Sequence, residues 1–266
     1  STLAAVLAAS KIHIPVAHVE AGLRSFNRKM PEEVNRIVAD QLSDLLFTPT
    51  EGAKNHLKNE GVPEGKIHFS GDVMYDVALY FGQKAEANSQ IIKHLNLLKK
   101  PYILATIHRA ENTDDPTRLM NIMEVLMELG QHMPIVLPLH PRTQSFLKQY
   151  HMFDDAMNTL HVIEPVGFLD MIMLEKKASL IVTDSGGVQK EAFFHHVPCV
   201  TLRDETEWQE LVDLGWNVIA SPTDKSKMIK AIQHGLTQVG DLTQRPYGRG
   251  DAAEKIANVL YDFLGI

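Results

Sequence analysis

The stretch LIVTDSGGVQKE, Leu180 to Glu191, brings an apolar strand into a Ser-Gly-Gly turn that opens a helix. Gly186 and Gly187 clear side chains away from backbone N–H groups, and the helix dipole and the Ser185 hydroxyl add further attraction for an anion such as phosphate. Glu191, one turn on, is a carboxylate able to accept hydrogen bonds from ribose hydroxyls. The plainer alternative is an ordinary strand-to-helix turn capped by Asp184 or Ser185. Three other clusters carry potential chemistry. In HVEAGLRS, Glu20 leaves an apolar strand as a possible proton carrier, or else as the ion-pair partner of Arg24. In MPEEVNR, Glu32, Asn35 and Arg36 share one helix face, which suits either catalysis or a common surface pair. In ATIHRAEN, His108 and Arg109 are followed by Glu111 and Asn112, a set suited to holding a diphosphate. HPR at His140 to Arg142 repeats the theme, with a plain turn as the alternative.

Composition narrows the ligand. Lys and Arg total 26 against 33 Asp and Glu, a formal charge of -7, so an anion must be held by local cations rather than by a general positive field. General nucleic-acid or anionic-membrane binding is disfavoured on the same ground. Cys199, the single cysteine, lies in VPCVTL and reads as a buried core thiol. The histidines show no HExxH or comparable spacing, so no metal is expected. No apolar run reaches a membrane span and no signal peptide is visible, which makes the cytoplasm the expected compartment. STLAAVLAASKI reads as a helix already under way, as in a fragment of a longer protein.

The elements that must position these clusters alternate. Strands at IPVAHV, LLFT and KIHF are separated by helices at PEEVNRIVADQL and EGAKNHLKN, and a further helix follows Asp72. A polar segment from Gly82 to Lys100 reads as an inter-domain connection. Beyond it, strands at PYILATIH, PIVLPLH, LHVIEPV, ASLIVTD, PCVTL and WNVIA alternate with helices over Pro116 to Leu129, from Thr143, over Phe168 to Lys176, after Gly187 and over Lys225 to Leu236. Such alternation implies parallel, doubly wound sheets, in which ligands bind beyond the carboxyl ends of strands. Several of the polar clusters fall at such ends: His18 and Glu20, His108 to Asn112, His140 to Arg142, and Asp184 to Gly187. RDETEWQE, Arg203 to Glu210, either lines the site or is a solvated loop.

HVEAGLRS, MPEEVNR, HRAEN, TDSGG with its following Glu, and RDETEW occur together in one order, and with them the chain resembles the non-hydrolysing UDP-N-acetylglucosamine 2-epimerases. The resemblance implies two Rossmann-like doubly wound α/β domains of GT-B type, the first incomplete: 1–82, then 83–248 binding UDP, with 249–266 a helix packing back on the first domain. It implies epimerisation at C2, UDP-GlcNAc to UDP-ManNAc, by anti elimination of UDP and re-addition through a 2-acetamidoglucal. It assigns catalysis to Glu20, Glu32 and His108, and UDP-sugar binding to Arg36, Arg109, Ser185, Gly186, Gly187 and Glu191. A second UDP-sugar acting as activator would use Arg109 and His140. No cofactor and no metal are implied, and the assembly expected is a homodimer. An Arg-bearing phosphate loop and a catalytic Asp of the family would lie upstream of Ser1, so a catalytically impaired UDP-sugar-binding fragment is an alternative. A GT-B glycosyltransferase is another. Ala110 and Glu207-Trp208 stand where many simple epimerases carry Arg and an Arg-Pro pair, and look more like the branch acting on UDP-2,3-diacetamido-glucuronate.

Overall fold

A computed structural model of the chain describes residues 2–237, 240–241 and 243–266. Ser1, the first residue of the expected opening helix, lies outside them. The chain divides into two compact units, Ser1–Leu79 with Leu242–Ile266, and Tyr80–Asp241.

In the first unit, α1 (Thr2–Lys11), β1 (Ala17–Val19), α2 (Pro31–Leu42), β2 (Leu45–Thr48), α3 (Glu51–Asn59) and β3 (Ile67–Phe69) follow one another, and the three strands pair in parallel in the order β1-β2-β3. Pro31 opens α2 at a position that needs no N–H donor, and Thr50 caps α3 by accepting from the Ala53 amide. Strand alternation sends Leu46 to one face with Ala21, Leu57 and Ile67. Leu45 and Phe47 go to the other, where Ile256, Val259 and Leu260 of the C-terminal helix (Ala252–Leu264) cover them. That helix is therefore an apolar lid on β2, held further by the Asp76 carboxylate, which accepts from the Ala252 and Ala253 amides at 3.2 and 2.8 Å.

The expected connection at Gly82 to Lys100 is mostly helical. Helix α4 runs unbroken over Val73–Asn88, through the division between the units, and α5 (Ile91–His94) follows. Ala85, buried, packs there with Ile172 and Met173, and apolar contacts of this kind turn a polar-looking stretch into part of the second unit. The divisions at 79/80 and 241/242 accordingly precede those drawn from the sequence.

The second unit contains α6 (Ala110–Thr113), α7 (Pro116–Gly130), α8 (Pro141–Gln149), α9 (Phe153–Thr159), α10 (Phe168–Lys177), α11 (Gly186–Phe194), α12 (Gln209–Asp213) and α13 (Lys225–Gly235). Its strands are β4 (Ile103–Thr106), β5 (Ile135–Pro138), β6 (His161–Ile163), β7 (Leu180–Thr183), β8 (Cys199–Thr201) and β9 (Asn217–Ile219), all parallel, in the order β6-β5-β4-β7-β8-β9. Counted within the unit this is 3-2-1-4-5-6, the Rossmann order, and it reverses between β4 and β7. The central strands β4, β7 and β8 are buried on both faces. Ile103, Ala105, Leu137 and Val182 pack with Leu119, Ile122 and Leu126 of α7 and Ile232 of α13, while Leu104, Val136 and Ile181 pack with Leu174 of α10 and Ala192 of α11. Cys199 belongs to the latter core, where burial pushes its thiol up to about 12. Among the described residues no helix is long and apolar enough to cross a membrane.

Gly22 has φ +80°, and a Cβ there would stand 2.3 Å from the Ala53 carbonyl oxygen. Gly22→Ala should therefore destabilise the fold by about 2–4 kcal/mol, the cost of left-handed strain plus a backbone clash, read as a lowered urea midpoint. An unchanged midpoint would refute this account of the turn.

Candidate active site

Strands β4 and β7 end side by side at the point where the strand order reverses, and their last threonines, Thr106 and Thr183, hydrogen-bond through their hydroxyls at 2.6 Å. The next residue after β7 is Asp184, fully buried. Its carboxylate accepts from the backbone amides of His108 at 3.1 Å and Arg109 at 3.0 Å, and from Asn112 Nδ2 at 3.2 Å. Asn112 Nδ2 also donates to the Leu202 carbonyl after β8, and its Oδ1 accepts from Arg118 Nε, both at 3.0 Å. A buried carboxylate with this many donors fixes the three loops that follow β4, β7 and β8.

Ser185 then caps α11: its hydroxyl oxygen accepts from the Val188 amide at 3.5 Å. The cap and the anion site are compatible, because a hydroxyl that accepts one hydrogen bond still has a proton to donate. The amides of Gly186 and Gly187 lie in the first turn, where no carbonyl of the helix can reach them. Arg109 Nη1 is shielded from solvent without a hydrogen-bond partner among the described residues, a cationic donor at the same strand ends.

The RDETEW segment, left open between site and solvent by its sequence, folds against this turn. Trp208 Nε1 donates to the Gly186 carbonyl at 2.9 Å, Thr206 donates to Gln189 Oε1 at 2.6 Å, and Lys190 Nζ lies 4.3 Å from the Trp208 ring centre. Buried Arg203 holds Glu207 at 2.9 Å, and a Cβ on Gly186 would come within 2.9 Å of that carboxylate. A side chain at Gly186 would therefore press on the carboxylate that Arg203 holds.

His108 faces a cavity of about 210 Å³ lined also by Thr106, Pro138, His140, Met171 and Val188. The His108 and His140 rings are 5.8 Å apart. The HPR segment is a helix start rather than a plain turn, with His140 Nδ1 accepting from the Arg142 amide at 3.1 Å and Pro141 in the first turn of α8. Glu191, expected beside a ribose, is half-buried on α11, and burial holds its carboxyl above the usual carboxylate range.

In the first unit, Glu20 follows β1 with φ +64° and is partly exposed. Its suggested pairing with Arg24 is corrected by the structure: the Arg24 guanidinium is bound to Asp40 at 2.8 Å and Glu60 at 2.7 Å. Asp40 also takes His18 Nδ1 at 2.7 Å and the Gly22 amide at 3.1 Å, so it ties down the loop after β1 much as Asp184 does after β4. Glu32 is exposed on the first turn of α2. Its neighbour Glu33 is the buried carboxylate, accepting from the Ser25 and Phe26 amides at 2.8 and 3.0 Å, and Arg36 Nη1 is 3.9 Å from it. Sequence reasoning passed over Asp40, Glu33 and Arg203; the signal available was a charge inside an otherwise apolar register, as at Asp40 after IVA.

Asp184→Asn keeps the volume but replaces one acceptor with a donor facing other donors. It should lower stability by about 2–4 kcal/mol in denaturant titration, and a variant as stable as the parent would show that the Asp184 network does not hold these loops.

The comparisons with known proteins agree with this geometry. The family described as UDP-N-acetylglucosamine 2-epimerase matches residues 1–261. A UDP-N-acetylglucosamine 2-epimerase homolog of Methanococcus maripaludis is 49% identical over 263 residues, covering 98% of this chain and 72% of that protein. The UDP-2,3-diacetamido-2,3-dideoxy-D-glucuronate 2-epimerase of Pseudomonas aeruginosa is 48% identical over 263 residues, with coverage of 98% and 72%. The crystal structure of the Methanocaldococcus jannaschii UDP-GlcNAc 2-epimerase in complex with UDP-GlcNAc and UDP superposes with a TM-score of 0.90 at 45% identity, covering 98% of this chain and 73% of that one. The motifs, the two Rossmann-like units and these likenesses agree, and the chain belongs to the UDP-N-acetylglucosamine 2-epimerase family, isomerases of GT-B-type fold.

Proposed function

We propose that this protein inverts C2 of a UDP-2-acetamido sugar, converting UDP-GlcNAc to UDP-ManNAc. The observation that carries the reading is the Asp184 network, which gathers His108, Arg109 and the Ser185-Gly186-Gly187 turn at the switch point of a Rossmann sheet. A base takes the C2 proton while the C1–O bond breaks and UDP leaves with the bonding electrons. UDP then adds back to C1 of the 2-acetamidoglucal as a proton is delivered to the opposite face of C2. Breaking a C–H bond calls for placed carboxylates, and we assign acid/base work and stabilisation of the glucal to Glu20 and Glu32. Charge growing on the departing diphosphate calls for donors and cations, which we assign to Arg36, His108, Arg109, Ser185 and the amides of Gly186 and Gly187. Glu191 takes the ribose hydroxyls. His140, with Arg109, is our candidate contact for a second, activating UDP-sugar. The working assembly in this reading is a cytoplasmic homodimer.

A second substrate reading has its own support: 48% identity to the diacetamido-glucuronate 2-epimerase, together with Ala110 and the Trp208 that closes over Gly186. It keeps the chemistry and changes the sugar.

Incubating the protein with each UDP-sugar in heavy water tests both readings. Deuterium at C2 of UDP-GlcNAc is the expected result, deuterium only in the diacetamido-glucuronate favours the second sugar, and UDP binding without exchange would leave a binding function alone. Glu32→Gln keeps the shape and loses the charge, so exchange should fall by roughly 100-fold or more with little change in UDP affinity. Near-normal exchange would remove Glu32 from the chemistry. Ser185→Ala should weaken UDP binding by about 1–3 kcal/mol in calorimetry, and unchanged affinity would withdraw that hydroxyl from the phosphate site.

A further inference from the structure

A second cavity in the second unit, of about 560 Å³, has no part in the roles assigned above. It lies at the opposite end of the sheet from His108, where Pro101 leads into β4 and Lys177 ends α10 ahead of β7. Its floor is apolar. Leu97, 3% exposed, and Met173, 8% exposed, belong to the cores beside it, and half-buried Ile92 of α5 joins them. Its rim is cationic: Lys93, Lys99, Lys100 and Lys177 line it, all of them exposed, and no acidic residue does. This is a local concentration of positive charge in a chain whose formal charge is -7.

None of these four lysines is in an ion pair among the described residues. Glu86, whose charge Lys177 also feels, is taken by Lys176 at 3.0 Å, and Asp170 accepts from the Ser89 hydroxyl at 2.6 Å. Lys177 stands at the carboxyl end of α10, where the helix dipole by itself favours a cation. Lys99 and Lys100 have no such reason, since they lie in the turn between α5 and β4. Lys99 moreover holds φ +62°, a left-handed conformation that glycine or asparagine adopts at less cost. The turn is pinned by the Leu97 amide, which donates to the Ile92 carbonyl at 2.9 Å, and by the Lys100 amide, which donates to the Leu97 carbonyl at 3.1 Å. Leu98, also lining the cavity, is 61% exposed. An apolar floor ringed by cations complements an anion that carries a hydrocarbon body: an inorganic anion would leave the floor wet, and a neutral hydrocarbon would leave the charges unanswered. The volume is that of a small-molecule site, and a concavity admits a single molecule better than it meets a flat bilayer. We propose that this cavity binds an amphipathic anion, an alkyl carboxylate or alkyl phosphate, with its chain on Leu97, Leu98 and Met173 and its head group among the lysines. The proposal is independent of the nucleotide reading.

Calorimetry of the unaltered protein with decanoate and with decyl phosphate tests it. Each should bind once per chain, the tighter of the two naming the head group, and decanol and inorganic phosphate should each bind about tenfold more weakly or less. Binding of both anions should weaken as salt is raised, because the lysines are exposed. In the double variant Lys99→Gly/Lys177→Gln both affinities should fall about tenfold. Lys99→Gly alone should bind more weakly yet melt no lower than the parent, since glycine relieves the left-handed backbone, which separates lost binding from lost folding. The absence of saturable binding, equal binding of decanol, an affinity unchanged in the double variant, or displacement of the probe by UDP would each overturn the proposal. Retention on vesicles of anionic phospholipid that the double variant loses, with neither soluble probe bound, would overturn it in favour of a bilayer surface.

Discussion

The site in the second unit depends on one buried carboxylate. Asp184 closes β7 and takes hydrogen bonds from the loop after β4, and through Asn112 it reaches the loop after β8. Removing a charge from water is costly, and only several donors in good geometry offset the cost. Those donors are the backbone of His108 and Arg109 and the side chain of Asn112. The same contacts that satisfy Asp184 thus fix where His108, Arg109 and the Ser185 turn stand relative to one another. The strand order makes this possible, because the reversal between β4 and β7 sends their following chains to opposite faces and leaves an open crevice above the strand ends.

A similar device serves the first unit. Asp40, buried on α2, binds His18, the Gly22 amide and Arg24, and so secures the loop in which Glu20 and Gly22 take left-handed backbone conformations. Arg24 is satisfied by Asp40 and Glu60, and Glu33 by the amides of the following loop. In both units the groups with most hydrogen bonds organise backbone, while Glu20, Glu32 and His108 are more exposed. The division suits a catalyst: buried charges build the frame, and the more accessible polar groups are the ones assigned chemistry.

Much of this was legible in the sequence, for identifiable reasons. Strands such as LIVT and ILAT are buried on both faces and read as continuous apolar runs, and Pro31, Pro116 and Gly61 mark helix boundaries through backbone chemistry that no tertiary contact overrides. The Ser-Gly-Gly turn was legible as a helix start because Ser185 is a preferred cap residue following an apolar strand. What failed depended on partners distant in the chain. Residues 82–100 looked like a linker because Ala85 meets Ile172 and Met173 only in three dimensions. Arg24 looked like the partner of Glu20 because Glu60 is 36 residues away.

The central claim is that a nucleoside diphosphate is held at the β4/β7 switch point by the amides of Gly186 and Gly187. The most direct measurement is amide NMR of the unaltered protein titrated with UDP. The account predicts that the largest shifts occur at Gly186 and Gly187 and extend to His108 and Arg109, through the carboxylate that joins the two loops. Saturable UDP binding that leaves those four amides unmoved would contradict it.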